Sequence, residues 1–307
     1  MDKLDKQLLL KLICNCRQSY RTLAKDLGVT CPTIKRRVDL LMESGIITGF
    51  TVDISQETLG VGWAIAQITT DNSEDRATLV DDICAHEATT ETFVVGSRSY
   101  VAFAEVTYSN GLYEYGKYLR SLSGVIDVDI QNAQQIPTSQ LSYKCKFNSR
   151  GNKVEFTSQQ RKVLRLLVED ARMPIQDLSE RTRLKPKRIR RIIKELREGG
   201  GVHFTIKFNP CTENCISFLL LMRFDESVTG PKDIVELLED EFPMEYWLTF
   251  MLSNEPVLIN YMSSYSLARI EEVIRKMKQV PCLKNVDTML IYHIEKSQEN
   301  GALLATA

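Results

Sequence analysis

The apolar and polar positions of this chain follow two spacings that alternate along its length. Near the start, apolar side chains recur every three or four positions in three successive stretches, as on one face of a helix. Gly28 is a suitable stop for the second helix, and Thr30 is a suitable N-cap for the third. The apolar segment 46–54 then predicts a small β-wing with a turn at Thr48 and Gly49. Three helices and a wing predict a winged helix-turn-helix domain.

The segment that follows alternates between strand and helix patterns. Strands are predicted at 61–70, 92–95, 100–108 and 125–130, and helices at 76–86 and 113–122. This βαββαβ order predicts a ferredoxin-like domain, in which both helices cover one face of an antiparallel sheet.

The whole pattern occurs a second time, 155 positions later. Residues 17–45 align without a gap with residues 172–200, and the apolar positions keep the same phase, as at Ile34 and Ile189. A period this long indicates a duplicated two-domain unit rather than a solenoid, and we refer to its first and second copies. In the second copy a wing is expected at 202–208, strands at 216–224, 245–252, 257–262 and 283–294, and helices at 232–241 and 266–278.

The predicted fold class is therefore α+β, with two winged helix-turn-helix domains that are each followed by a ferredoxin-like domain. The expected order is a winged domain at 1–55, a ferredoxin-like domain at 56–135, a linker at 136–155, a second winged domain at 156–209 and a second ferredoxin-like domain at 210–296.

The most basic predicted helix covers residues 185–200. Ile189, Ile193 and Leu196 are expected on its buried face, and cations cover the rest of its surface. Such a helix either presents a solvated face, with long side chains that cover apolar surface, or enters the groove of a polyanion. The helix-turn-helix pattern before it, and its recurrence in both copies, favour the polyanion.

Charge alternates between the predicted domains, although the net charge is only −1. Residues 1–55 carry +3, 136–155 carry +3 and 156–205 carry +7, whereas 56–135 carry −8 and 206–307 carry −6. Basic winged domains beside acidic ferredoxin-like domains indicate nucleic-acid contact by the former and self-association or ligand binding by the latter.

Composition places the chain among cytoplasmic globular proteins. No apolar run approaches the ~20 residues that span a bilayer, and Asp2 and Asp5 lie where a signal peptide would be basic. We expect reduced thiols. The cysteines Cys14, Cys16 and Cys31, with Cys211 and Cys215, are only a weak metal or redox signal, because no histidine shares their spacing. We predict no metal site and no cofactor.

A set of motifs at fixed spacing runs through the first winged domain. They are the Leu4-Asp5 start, Arg17 after the first helix, the turn LAKDLGVT, the helix end IKRRVDLLMESGII and the Gly49-Phe50 wing. In these motifs the chain resembles the N-terminal module of the Lrp/AsnC (feast/famine) family of transcription regulators. That resemblance implies that the ferredoxin-like domains are regulatory (RAM) domains, which in this family dimerise through their sheets and bind small effectors, often amino acids.

Gly96, Arg98 and Tyr100 are the candidate effector-binding residues. They occupy the position at which amino-acid-binding members of the family carry a Gly-Asp-Tyr-Asp-like turn. Here a cation replaces the acids, so a different ligand, or none, is as well favoured as an amino acid. The equivalent turn of the second copy, at 253–256, retains nothing of the motif and is expected to be structural.

The third helix of a helix-turn-helix domain offers its N-terminal residues to base edges, while neighbouring cations contact phosphates. In the first copy the candidate groove contacts are Thr30, Cys31, Thr33, Arg36 and Arg37, and the candidate phosphate contacts are Arg17 and Arg21. In the second copy the candidates are Lys185, Lys187, Arg188, Arg190, Arg191 and Lys194. The short polar side chains of the first set suit base reading, whereas the cationic second set is expected to grip the backbone without discriminating.

Two other function classes compete with DNA binding. Siroheme decarboxylases share the same domain plan and depend on His and Arg residues around a tetrapyrrole, but only His86 lies in the first regulatory domain. A scaffold that has lost DNA binding is disfavoured by the charge of the second winged domain. We predict a non-enzymatic, sequence-specific transcription regulator that acts as an intramolecular pseudo-dimer. Its expected partners are double-stranded DNA, a small-molecule effector, and further copies of the chain through the regulatory domains.

Overall fold

The computed structural model describes residues 1–139, 152–210 and 215–296, so residues 140–151 of the predicted linker lie outside the described part. The described residues form two compact units. We call the first, with residues 1–59 and 152–210, the winged unit, and the second, with residues 60–138 and 215–296, the sheet unit. Each unit therefore contains the matching domains of both copies.

The two copies have nearly the same order of elements, which confirms the predicted α+β class. The first copy contains α1 (Lys3–Cys14), α2 (Tyr20–Leu27), α3 (Cys31–Glu43), β1 (Ile47–Ile54), α4 (Gln56–Leu59), β2 (Val61–Thr70), α5 (Arg76–Ala85), β3 (Thr89–Val94), β4 (Ser99–Thr107), α6 (Gly111–Ser121) and β5 (Val125–Ile136). The second copy contains α7 (Ser158–Glu169), α8 (Ile175–Thr182), α9 (Pro186–Glu198), β6 (Val202–Phe208), β7 (Ile216–Phe224), α10 (Pro231–Glu241), β8 (Tyr246–Leu252), β9 (Val257–Ser264), α11 (Leu267–Lys278), β10 (Leu283–Leu290) and β11 (His293–Lys296).

The wings of the two winged domains form one structure. Strands β1 and β6 pair antiparallel in a two-stranded sheet, with Thr51 opposite Thr205. The turn expected at Thr48 and Gly49 is wrong, because β1 continues through both residues with a bulge after Ile47. Strand β1 pairs over its length with β6 of the other copy instead of folding back into a hairpin.

The third helix of each winged domain buries one apolar face. Helix α3 buries Ile34, Val38 and Leu41, and α9 buries Ile189, Ile192 and Leu196. Ile193, which the sequence placed on the buried face, is only half-buried. Positions three and four residues after a buried residue both lie on the same side of a helix. In α9 the position three residues after Ile189, which is Ile192, is the buried one.

The sheet unit contains one nine-stranded antiparallel sheet in the order β10-β7-β9-β8-β5-β2-β4-β3-β11. The end of β5 pairs with β8, with Ala133 opposite Leu252, and β11 pairs with β3, with His293 opposite Val94. The single strand predicted at 283–294 is wrong. It ends at Leu290, and the chain then passes from one copy to the other to form β11.

The faces of this sheet have different partners. Helices α5 and α6 cover one face of the first copy's strands, and α10 and α11 cover one face of the second copy's strands. The opposite faces of the two copies share an apolar core in which the Phe250 ring lies 5.3 Å from Trp63 and 5.2 Å from Phe103. Aromatic pairs at this separation are favourable, so the two ferredoxin-like domains are packed together through these faces.

Candidate nucleic-acid interface

The start of α3 brings the short polar candidates of the first copy together. Thr30 caps the helix, since its hydroxyl oxygen accepts a hydrogen bond from the Thr33 N–H at 3.3 Å, and the two hydroxyls lie 2.8 Å apart. Cys31 is exposed between them. The helix therefore begins with hydroxyls and a thiol at the end that enters a groove in helix-turn-helix proteins.

Exposed cations accompany this helix. Arg21 on α2 and Arg36 on α3 are exposed and have no hydrogen-bond or ion-pair partner in the described chain. Lys35 has the same properties, although the sequence reasoning did not select it. The alignment of the two copies could have identified Lys35, because it places Lys35 opposite Arg190, a predicted DNA contact of the second copy.

Arg37, in contrast to Arg36, has ion-pair partners. Its guanidinium donates to Asp2 at 2.5 Å and to Asp5 at 2.9 Å, both at the start of α1. The Asp5 N–H, and secondly Arg37, lower the pKa of Asp2. The groove contact expected for Arg37 does not fit this placement, because its charge is used to join α3 to α1. The second copy has the buried Ile192 at this position and joins the same helices by apolar packing.

Arg17 is half-buried, and its guanidinium is held by the other winged domain. It donates to the main-chain oxygens of Ala171 and, at 3.3 Å, Met173 in the other copy. Burial lowers the pKa of Arg17. Its counterpart Arg172 reciprocates, donating to the Cys16 oxygen at 2.7 Å. The phosphate contact expected of Arg17 does not fit, because both arginines link the two winged domains.

The second recognition helix, α9, carries the larger positive charge. Lys185 is its N-cap but makes no side-chain capping bond. Lys187, Arg190 and Lys194 are exposed and have no side-chain partner within the described residues. Such cations suit phosphate contacts, because ammonium and guanidinium groups that neutralise phosphates release counterions.

Arg188 and Arg191 differ from the other cations of α9 because they share an acid. The Glu195 carboxylate accepts from Arg191 Nε at 2.8 Å and from Arg188 Nη1 at 3.4 Å. Although partial burial acts to raise the pKa of Glu195, the hydrogen bond from Arg191 and both positive charges lower it overall. These two side chains are thus oriented before any ligand binds.

Comparison with known proteins supports this geometry in both copies. Residues 1–42 match the AsnC-type helix-turn-helix domain family, and residues 157–200 match a winged helix-turn-helix DNA-binding family. In these two segments, and in its internal repeat, the chain is similar to a duplicated unit of the Lrp/AsnC type.

Named relatives match one copy of the repeat or part of it. An uncharacterised HTH-type transcriptional regulator of Pyrococcus furiosus is 29% identical over 145 residues, which are 46% of this chain and 97% of the relative. The regulatory protein AsnC of Escherichia coli K12 is 43% identical over 60 residues, which are 20% of this chain and 40% of the relative. The match to a Pyrococcus abyssi regulator likewise spans 41% of that protein.

A solved structure resembles this chain over nearly its full length. The siroheme decarboxylase NirDL superposes with a TM-score of 0.60 at 10% sequence identity. The superposition covers 99% of this chain and 97% of the NirDL chain. At this identity the likeness shows a common fold.

The candidate effector turn belongs to a small polar cluster. Arg98 Nε donates to the Thr70 main-chain oxygen at 2.7 Å, and the Thr70 hydroxyl donates to Glu74 at 2.7 Å. The hydroxyl of buried Tyr100 donates to the same Glu74 oxygen at 2.9 Å, and burial, followed by Glu74, raises the pKa of Tyr100 to about 12. Arg98 and Tyr100 thus meet through Thr70 and Glu74, while Gly96 contributes only main chain.

Neither a cluster of metal ligands nor a membrane-spanning helix is found among the described residues. No three His, Cys, Asp or Glu side chains converge there as the ligands of a metal ion would. None of the described helices combines the length and the apolar character needed to cross a membrane.

Proposed function

We propose that this protein is a DNA-binding transcription regulator of the Lrp/AsnC type in which one chain supplies both DNA-binding domains. The observation that carries the proposal is the winged unit, where two recognition helices with unpaired surface cations are joined by the shared β1–β6 ribbon. Relatives that match one whole copy or its winged domain are named as regulators. The fused pair would act as an intramolecular pseudo-dimer, without catalytic activity.

Salt dependence tests this proposal. If about six cations contact phosphates, the logarithm of the association constant should fall with the logarithm of salt concentration with a slope of about −5. Fluorescence anisotropy of a labelled duplex at several salt concentrations measures the slope. Arg190→Ala, which removes one exposed cation of α9, should reduce the magnitude of the slope by about 1. Affinity that does not change with salt would refute DNA binding by these helices.

The two half-sites should differ in sequence. The first recognition helix offers Thr30, Cys31 and Thr33 at its start, whereas the second offers Lys185 and Lys187 in the same region. One chain with two unlike helices favours an asymmetric operator. Binding to a perfect palindrome in preference to every asymmetric site would contradict this view.

Effector binding and self-association are further parts of the proposal. The cluster around Arg98 and Glu74 supports a small ligand at the first regulatory domain, because one Glu74 oxygen is buried without a hydrogen-bond partner in the described chain. Thermal shift with a panel of amino acids and other metabolites tests for such a ligand. We also propose that chains associate through their regulatory domains, which sedimentation velocity would detect as a dimer or larger species.

A siroheme decarboxylase is the second candidate, and the full-length likeness to NirDL favours it. The likeness concerns the fold. The sequence has three histidines, and they are far apart in the chain: His86 follows α5, His203 is on β6 and His293 is on β11. Incubation of the purified protein with siroheme distinguishes the two functions. A decarboxylated product would replace the regulator proposal with an enzyme.

A further inference from the structure

The Glu195 carboxylate on α9 contacts two arginines of the preceding turns of the same helix, Arg188 and Arg191. Its Oε1 atom accepts from Arg191 Nε at 2.8 Å and lies 3.4 Å from Arg188 Nη1. Charge-assisted hydrogen bonds of this kind are stronger than neutral ones. Both arginines are therefore held relative to the helix, unlike the unpaired cations beside them.

The carboxylate that holds the arginines is itself held from the neighbouring helix α7. Gln160 donates to Glu195 Oε2 at 3.2 Å. The same Gln160 takes part in the capping box of α7, where its Oε1 accepts from the Thr157 N–H at 2.9 Å. Arg188 gains a second restraint, because its Nε donates to Gln159 at 2.8 Å. The network thus starts at a helix cap and ends at Arg191.

The first copy lacks this arrangement. Leu40 occupies the position equivalent to Glu195 and is 47% exposed, and Arg36 occupies the position equivalent to Arg191. Arg36 has no partner within the described residues. The acid on α9 is therefore not a general requirement of the winged fold, since the first copy folds with a leucine in its place.

The bond to Glu195 uses only one edge of the Arg191 guanidinium. Its two terminal nitrogens bond to no other group of the described chain, and the side chain is 75% exposed. Two parallel N–H donors match the O6 and N7 acceptors of guanine in the major groove, which is the commonest specific contact of arginine. A pre-oriented fork loses less conformational entropy when it makes this contact.

We propose that Arg191 reads a guanine in the half-site of the second recognition helix and that Glu195 is its positioning residue. The inference rests on the proposed DNA-binding function. It replaces the expectation, drawn from charge alone, that this helix only grips the backbone. A residue that gripped phosphate alone would gain nothing from a neighbouring carboxylate, which repels the phosphate.

The test begins with the duplex that the full chain enriches from a random library. We expect a guanine at one position of one half-site. Replacing that guanine with 7-deazaguanine, which lacks the N7 acceptor but keeps O6, should weaken binding at least about fivefold, and by less than the upper limit of about 150-fold for loss of a whole bidentate pair. Arg191→Lys should lose this sensitivity while retaining affinity for unrelated DNA, because the positive charge remains.

Glu195→Leu, which places the residue type of the first copy at this position, isolates the positioning role. Its matched control is Glu198→Leu, because Glu198 is an exposed acid on the same helix without a partner in the described chain. Each variant removes one negative charge and should raise affinity for unrelated DNA similarly. Only Glu195→Leu should reduce the preference for guanine over 7-deazaguanine, by at least about fivefold.

Two results would overturn the inference and leave DNA binding intact. One is equal guanine preference in Glu195→Leu and Glu198→Leu, and the other is undiminished preference in Arg191→Lys. Failure of the unmodified chain to bind any duplex at low salt would refute the proposed function as well as the inference.

Discussion

Arg172 offers a direct test of how the two winged domains are joined. Its guanidinium donates to the Cys16 oxygen at 2.7 Å and to the Tyr20 hydroxyl at 3.0 Å, and it lies 4.0 Å from the centre of the Phe50 ring. All three partners belong to the other copy. We predict that Arg172→Ala selectively destabilises the winged unit.

The size of the effect follows from these contacts. A hydrogen bond from a charged donor contributes about 1.5–3 kcal/mol, and a cation–π contact at a partly exposed site contributes about 1 kcal/mol. Ordering the arginine side chain opposes these gains by about 2 kcal/mol. We therefore expect a loss of about 3 kcal/mol, which is a large share of the roughly 5–15 kcal/mol that stabilises a typical domain.

Native-state hydrogen exchange measured by mass spectrometry locates this loss. Peptides from β1 and β6 should exchange about 150-fold faster, since about 1.4 kcal/mol corresponds to a factor of ten when exchange reports the opening equilibrium. Peptides from β7, in the sheet unit, should keep their protection and serve as an internal reference. Arg165→Ala removes an exposed arginine without a partner in the described chain and is the matched control. Unchanged exchange in β1 and β6, or an equal effect of the control, would refute the proposed role of Arg172.

Three further predictions concern other residues. Arg183 has a φ of 59° where the first copy has Gly28, so Arg183→Gly should stabilise the protein by about 0.5–1 kcal/mol in urea unfolding; destabilisation would contradict the assignment of strain. Burial lowers the pKa of His86, so the unfolded chain binds the proton more readily and stability should fall as the pH drops below about 6.5. In melting-temperature measurements, His86→Phe should reduce the loss of stability at low pH. An unchanged pH dependence in this variant would contradict the role given to His86. Bound DNA should slow the alkylation of exposed Cys31, measured by peptide mass spectrometry. Cys16 is buried, and burial raises its pKa to about 12, so it should remain unlabelled with or without DNA. Equal labelling of Cys31 in both states would show that it lies outside the DNA interface.

Local sequence patterns predicted the individual elements well. The strand at 216–224 was predicted with the bounds that the structure gives to β7, and the βαββαβ order is found in both copies. These elements depend on the spacing of apolar residues within a single segment, which is visible in the sequence. The internal repeat added the assignment of α9, since its alignment with α3 identified it as a second recognition helix.

Pairing between the copies could not be predicted in the same way. The shared ribbon of β1 and β6, and the crossing of β11 to β3, join segments that are far apart in the chain. Apolar spacing within a strand specifies which face is buried but not which distant strand lies at its edge. No local pattern in either wing segment distinguishes a hairpin within one copy from a ribbon between the two copies.

The roles of individual arginines were also beyond the sequence. Arg36 and Arg37 are adjacent cations on the same helix, yet one is exposed and the other joins Asp2 and Asp5. Successive helix positions point about 100° apart, so only the placement of α1 decides which arginine faces solvent. Arg17 differs for a similar reason, because its partners are main-chain oxygens of the other copy.

The most direct test of the central claim is selection of bound duplexes from a random library by the full chain, followed by footprinting on the enriched duplex. We predict an asymmetric operator in which a single chain protects two unlike half-sites. Enrichment of a palindrome with identical half-sites would contradict the two unlike recognition helices. The absence of any protected duplex at low salt would contradict DNA binding itself.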